Sequence, residues 1–361
     1  MTNQLPRHSR RRILRGLGLA AGITLAGAVP ALTASASADV TTVKVGFLHT
    51  VGVDAIMYTG IANGTFEAHG VELELTQFDS GIALSQALAG GSVDLAVMGA
   101  VISNFPAQGQ GHAVIANNIE ADTARIWAAP DSGIETVADL EGQKVATVQG
   151  TTAHVLLQIA AIDAGIDPAS IEIVNSDMAT AVNAFLSGAV PALSTWAPND
   201  IQVQEQMPDA VVVAAAGDYF PDAAILGGWV ASNDFINETD LLHQVTLGWL
   251  DANHLLMTDT ENALDQVWEM AYQDNLTREQ LTDQFEQLRS YTNSEWAELY
   301  EDGSVANWLG QVEQVFVDLG GIDEFVEPEE FFDASLFLAA YAEWSAANPA
   351  GSEPVTAGSE A

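Results

Sequence analysis

Two stretches of this 361-residue chain place glycine and hydroxyl side chains where a helix should begin: Ser80-Gly81 and Gly150-Thr151-Thr152. Glycine lets the backbone come close, and the free N–H groups of a helix start can hold an anion without a basic side chain. Thr151 or Thr152 can also cap its helix, and capping is compatible with binding. Trp196, at the end of an apolar run, offers a flat wall to an alkyl chain or an ammonium. Asp79 or Glu120 can answer a ligand amine, and either can equally be a solvated carboxylate in so acidic a chain. His49, Thr50 and Gly52 follow one apolar run, and Gly99 and Ala100 follow another. Trp229 reads either as hinge packing or as cleft wall, and the sequence does not separate the two.

Signatures of covalent chemistry are missing. There is no nucleophile elbow, no phosphate-binding loop and no dinucleotide glycine fingerprint. None of the seven histidines pairs at helical spacing with another, which leaves a helical metal site without support. The chain has no cysteine, so disulfides, thiol catalysis and cysteine metal sites are excluded. The expectation is binding without catalysis or cofactor.

The elements that must carry these groups form a repeated unit. Residues 81–99 read as a short amphipathic helix, a glycine stop at Gly90-Gly91 and a buried strand; residues 181–196 echo this around Gly188. Two such units suggest two α/β lobes with a cleft between them. In the first block strands are expected at 43–48, 71–77, 93–98, 114–117 and 125–129, with Pro130–Gly133 closing it. The second block gives strands at 144–148, 171–174, up to Trp196, and 211–215. This alternation with helices predicts mostly parallel sheets. The chain then returns to the first lobe through Leu226-Gly-Gly-Trp229 and is helical from Asp240, with Thr277 and Gln280 at capping-box spacing. Lobe I is thus expected from 39–129 plus 226–347, and lobe II from 130–225. In open α/β sheets the ligand lies outside the carboxyl ends of the strands. That rule nominates the loops 49–52, 78–81, 99–101, 149–152 and 196–200.

Residues 1–38 read as a signal peptide: a basic run around Arg10-Arg11-Arg12, an apolar stretch, then Ala36-Ser37-Ala38. The segment 9–15 resembles the twin-arginine signal, which implies the twin-arginine export machinery and a periplasmic or secreted protein. Without a cysteine there is no lipoprotein anchor. Five of the ten basic residues lie in this segment and none of the 49 acidic ones does, so the remainder carries a net charge of −44. Phosphates would be repelled, which argues against nucleic-acid binding. The acidic residues are spread rather than clustered, as in a salt-adapted (halophilic) protein. The tail 348–361, rich in Ser, Gly, Pro and Glu, is expected to be disordered.

Several of these segments together resemble one family. Gly81-x-x-Leu84-x-x-Ala87-Leu88-x-x-Gly91-x-Val93-Asp94, the stretch 137–151 with Asp139-Leu140-x-Gly142, Trp196-x-Pro198 and the Gly227-Gly228-Trp229 return are similar to the taurine, alkanesulfonate and nitrate solute-binding proteins of ABC importers, a group that includes binders of thiamin precursors. Pro191 departs from the pattern, standing where that family usually has an aspartate. The resemblance implies an α/β type II periplasmic-binding fold, with two lobes, a central cleft and a C-terminal helical region. It implies a monomer that closes on a small organic anion, an aliphatic sulfonate such as taurine or alternatively nitrate or a pyrimidine. The ligand would then be delivered to the ABC permease transmembrane subunits. An enzyme on the same fold is the competing reading.

Overall fold

The computed structural model describes residues 40–349. The expected signal peptide lies outside them, as does all but the first two residues of the expected tail.

The first sheet begins with β1 (Thr41–Leu48), β2 (Val71–Phe78), β3 (Leu95–Met98) and β4 (His112–Glu120). They are joined by α1 (Val51–Asn63), α2 (Thr65–Ala68), α3 (Gly81–Ala89) and α4 (Val101–Ala107). Every residue of β3 is buried, as a continuous apolar strand between covered faces should be. In α3, Leu84 and Leu88 are one helical turn apart and bury together. Gly46 in β1 makes room for Leu84: a Cβ there would stand 2.3 Å from a Leu84 methyl.

The second sheet is built from β5 (Ala124–Ala128), β6 (Lys144–Thr147), β7 (Glu172–Asn175), β8 (Ala192–Trp196) and β9 (Val211–Ala215), with α5 (Thr152–Asp163), α6 (Met178–Leu186) and α7 (Ile201–Gln206). The chain then returns to the first sheet as β10 (Ile225–Ala231). A helical region follows: α8 (Thr239–Thr258), α9 (Thr260–Val267), α10 (Arg278–Glu286), the two-residue β11 (Leu288–Arg289), α11 (Asn293–Glu301), α12 (Ser304–Asp318) and α13 (Ala334–Ala347). The expected capping box opens α10: the Thr277 and Gln280 backbone N–H groups donate to each other's side chains at 2.9 and 3.1 Å.

Both sheets follow one plan. The first runs β11-β4-β10-β3-β1-β2 and the second β7-β6-β8-β5-β9. In each, three strands are parallel and a fourth, β10 or β5, is antiparallel to both its neighbours. The two repeated helix–glycine–strand units end in β3 and β8, which hold the same place in the two orders.

This corrects the expected lobe boundary. The strand expected at 125–129 in the first lobe is β5, which pairs antiparallel with β8 and β9 of the second sheet. The chain therefore leaves the first sheet after Glu120, and Pro130–Gly133 punctuates a loop within the second lobe. Proline and glycine mark where a strand ends; its partners are set by residues about 70–90 positions onward, which local signals do not report.

Where β10 returns, Gly228 is required by close approach. A Cβ there would lie 2.2 Å from the Ile115 carbonyl oxygen, at a register shift between β10 and β4. The next residue, Trp229, is completely buried, so it is a core residue of the first lobe and not a wall of the cleft. Its indole N–H points at Asn117 Oδ1 (3.4 Å), which also accepts from the Trp249 indole of α8 (2.9 Å). Asn117 Nδ2 donates to the carbonyls of Gly52 (2.9 Å) and Val53 (3.1 Å) in the first turn of α1. One buried amide thus joins β4, β10, α1 and α8.

Replacing Asn117 by Leu removes the acceptor of two buried indoles. The expected loss is about 3 kcal/mol in denaturant unfolding, since each buried donor left unpaired costs about 1–3 kcal/mol. A loss below about 1 kcal/mol would show that the indoles find other partners.

Candidate functional site

The carboxyl ends of the strands of both sheets meet around a cavity of about 20 Å³. Thr50, Val51 and Gly52 enter it from the start of α1, Trp196 and Ala197 from the end of β8. Glu120, the last residue of β4, and Thr123 line it where the chain passes between the sheets, and Gln284 reaches it from α10.

The groups at this place are polar but short of positive charge. Thr123 donates its hydroxyl to Glu120 Oε2. Burial pushes the Glu120 carboxyl above the usual range, and the Thr123 hydrogen bond opposes this only in part. No lysine or arginine lines the cavity. Four of the five lysines and arginines among the described residues are engaged elsewhere: Arg125 pairs with Asp200 (3.0 Å), Lys144 with Glu172 (3.4 Å) and Arg278 with Asp265 (2.6 Å), while Arg289 lies over the Phe220 ring. The lobes touch beside the cavity, where the Ala100 N–H donates to the Thr152 hydroxyl (3.3 Å). Gly99 allows this contact, since a Cβ there would lie 2.9 Å from the same hydroxyl and 4.0 Å from Glu120 Oε1.

Of the nominated residues, Thr50, Gly52, Glu120 and Trp196 line the cavity, and Gly99, Ala100 and Thr152 adjoin it. Ser80 and Asp79 are exposed, and Ser80 caps its own helix by accepting from the Ala83 N–H (3.3 Å). Gly81 packs towards Val101. The loop 149–152 differs from the expected anion seat. The Gly150 N–H donates to His154 Nδ1 (3.1 Å), and the Thr151 hydroxyl donates to the Val148 carbonyl (2.7 Å). His49 is held away from the cavity lining. Its Nδ1 meets Asp54 Oδ2 at 2.6 Å and its ring stacks on Tyr272, whose hydroxyl donates to Asp54 Oδ1 at 2.5 Å. Burial works against the His49 imidazolium, but Asp54 outweighs it and holds the His49 pKa above its ordinary value. Sequence reasoning missed Thr123 and Gln284. Thr123 stands three residues after Glu120 and could have been found as its neighbour; Gln284 carries no local signal.

The fold is that of the two-lobed periplasmic binding proteins, with a C-terminal helical region. The periplasmic nitrate-binding protein NrtA from Synechocystis PCC 6803 matches it with a TM-score of 0.69 at 13% identity, over 88% of this chain and 92% of that one. The alkanesulfonate-binding protein SsuA from Xanthomonas axonopodis pv. citri, bound to MOPS, matches with a TM-score of 0.64 at 19% identity, over 81% and 98%. In sequence, the chain is 27% identical over 309 residues to a binding protein of Brucella abortus (strain 2308), covering 85% of this chain and 95% of that protein. Residues 53–261 match the NMT1/THI5-like family, and the chain belongs to it.

The loop at α5 makes a pH prediction. His154 is buried, and desolvation lowers its pKa to about 4, so it stays neutral with Nδ1 free to accept from Gly150. The unfolded chain takes up a proton below about pH 6.5. Stability from this group is therefore present above that pH, falls as pH drops from about 6.5 to 4, and is then flat. The expected contribution is about 3 kcal/mol. A His154→Gln variant should lose less stability than wild type between pH 7 and pH 4, measured by denaturant titration at each pH. Equal losses in the two proteins would refute the assignment.

Proposed function

We propose that this chain is the exported solute-binding subunit of an ABC importer and that it takes a small amino sulfonate such as taurine between its lobes. The observation that carries the solute class is Glu120. A carboxyl held near the lobe junction, in a cavity without lysine or arginine, favours a solute that brings its own ammonium. Trp196 on the opposite sheet would cover the two-carbon stem and the ammonium. The sulfonate would face the first turn of α1, where Thr50 makes no capping bond of its own and Gly52 lines the cavity. Nitrate fits less well, since it would place a second anion beside Glu120.

The cavity is smaller than any organic solute as the lobes stand. Binding therefore requires the lobes to part and the Ala100–Thr152 contact to give way, the hinge motion usual for two-lobed binders. No covalent step belongs to this reading. An enzyme reading would rest on the His49–Asp54–Tyr272 cluster, which is locked in its own hydrogen bonds and does not line the cavity. In the same proposal the protein works as a monomer. It would be exported through the twin-arginine machinery into a saline exterior, where its acidity keeps it soluble, and would hand its solute to the permease transmembrane subunits.

A thermal-shift screen in high salt tests this. Taurine, ethanesulfonate, nitrate and an aminopyrimidine are the informative probes. A solute at a hundred times its Kd stabilises the folded state by about 2.7 kcal/mol. Taurine should raise the melting temperature more than ethanesulfonate, and Trp196→Ala and Glu120→Gln should each reduce that rise. A shift with nitrate and none with taurine would overturn the ammonium argument. A shift with the aminopyrimidine alone would transfer Glu120 and Trp196 to a ring with an exocyclic amine.

A further inference from the structure

We infer that Gln284, on α10 of the C-terminal helical region, is a specificity-determining contact of the solute cavity, donating a hydrogen bond to the solute's sulfonate while Glu120 takes the ammonium. The inference rests on the solute-binding reading above, and it deepens it by naming a residue outside the loops of the two sheets.

Gln284 is 5% exposed and lines the cavity together with Glu120 and Trp196. Its Nε2 is buried and makes no hydrogen bond within the described residues. A buried amide donor left unmade costs about 1–3 kcal/mol. An apolar side chain of similar size would avoid that cost, so the fold itself does not ask for an amide here. The neighbourhood repeats the pattern. Asn118, on β4 two residues before Glu120, is 2% exposed, and both its Nδ2 and its Oδ1 lack a partner. Its Nδ2 lies 3.2 Å from where a Cβ on the cavity-lining Gly52 would be. Two neighbouring side chains with unmade polar groups thus lie at a place where both lobes and the helical region meet.

Position gives the amide its meaning. Glu120 offers an acceptor and Gln284 a donor to the same small volume. A solute that satisfies both must carry a donor group and an acceptor group within a few ångströms of each other, as an ammonium and a sulfonate on a two-carbon stem do. A solute with only one of these groups leaves the other protein group unmade. Gln284 also makes the helical region a party to binding, since α10 opens on its own capping box and ends beside β11, which pairs with β4 at Glu120.

The test uses the full-length mature chain and the variants Gln284→Met and Gln284→Leu, with taurine and ethanesulfonate titrated by calorimetry and melting curves recorded without solute. Without solute, both variants should be at least as stable as wild type, because no protein partner is lost. A clear fall in melting temperature in both would show that the amide serves the fold and would overturn the assignment. With taurine, both variants should bind at least about tenfold more weakly, the loss of one hydrogen bond to a charged group. Taurine bound equally by wild type and both variants would overturn the Gln284 assignment and leave the solute reading intact. Absence of taurine and ethanesulfonate binding to wild type would instead overturn the sulfonate reading, while the melting curves still judge the amide's role in the fold.

Discussion

Much of the first lobe hangs on the side-chain amide of Asn117. It is buried, and all of its hydrogen-bonding directions are used: two indoles converge on the oxygen and two carbonyls of α1 receive the nitrogen. Each group alone would be expensive to bury, and together they satisfy one another. The geometric result is that the first turn of α1 cannot shift along β4. That turn carries Thr50 and Gly52, so the amide fixes one wall of the cavity from behind. Trp249 brings α8 into the same knot, which is how the helical region becomes rigidly continuous with the sheet.

The cavity shows the opposite economy. There Thr123 and Glu120 pair with each other, while the Gln284 amide nitrogen has no partner. The chain commits four of the five lysines and arginines among its described residues to ion pairs or a ring contact, and leaves Glu120 with only a hydroxyl for company. In a protein this acidic, an uncompensated carboxyl on the surface would be unremarked. At a junction between lobes it is held in a poorly solvated place, and its raised pKa records the difference.

The sequence disclosed what is written in local periodicity. The helix–glycine–strand repeat identified the two strands that hold equivalent positions in the sheets, β3 and β8, and the Thr277–Gln280 spacing gave the start of α10. The rule that ligands lie beyond the carboxyl ends of strands nominated the loops that carry Thr50, Gly52 and Trp196, which line one cavity with Glu120, itself nominated only as a carboxylate that could meet an amine. It failed at 78–81, where Ser80 faces solvent and caps its own helix. What escaped depends on distant partners. The membership of β5 in the second sheet is decided by β8 and β9, the burial of Trp229 by Asn117 and α8, and the place of Gln284 by the docking of a helix far along the chain. The hydroxyls at 151–152 were recognised as hydrogen-bonding groups, but their partners, Val148 and Ala100, are matters of tertiary geometry.

The late return of β10 and β11 sets a timetable for the molecule's making. Strand β4 pairs with β10 and with β11, both of which are synthesised long after it. β10 also closes the exposed flank of β3. A chain emerging amino end first must therefore keep two apolar strand flanks unpaired until the whole of the other lobe has been made. The second sheet, built from the contiguous stretch 124–215, can be complete before β10 exists, but the first cannot mature ahead of its twin, and a synthesis interrupted before β10 leaves it with open sheet edges.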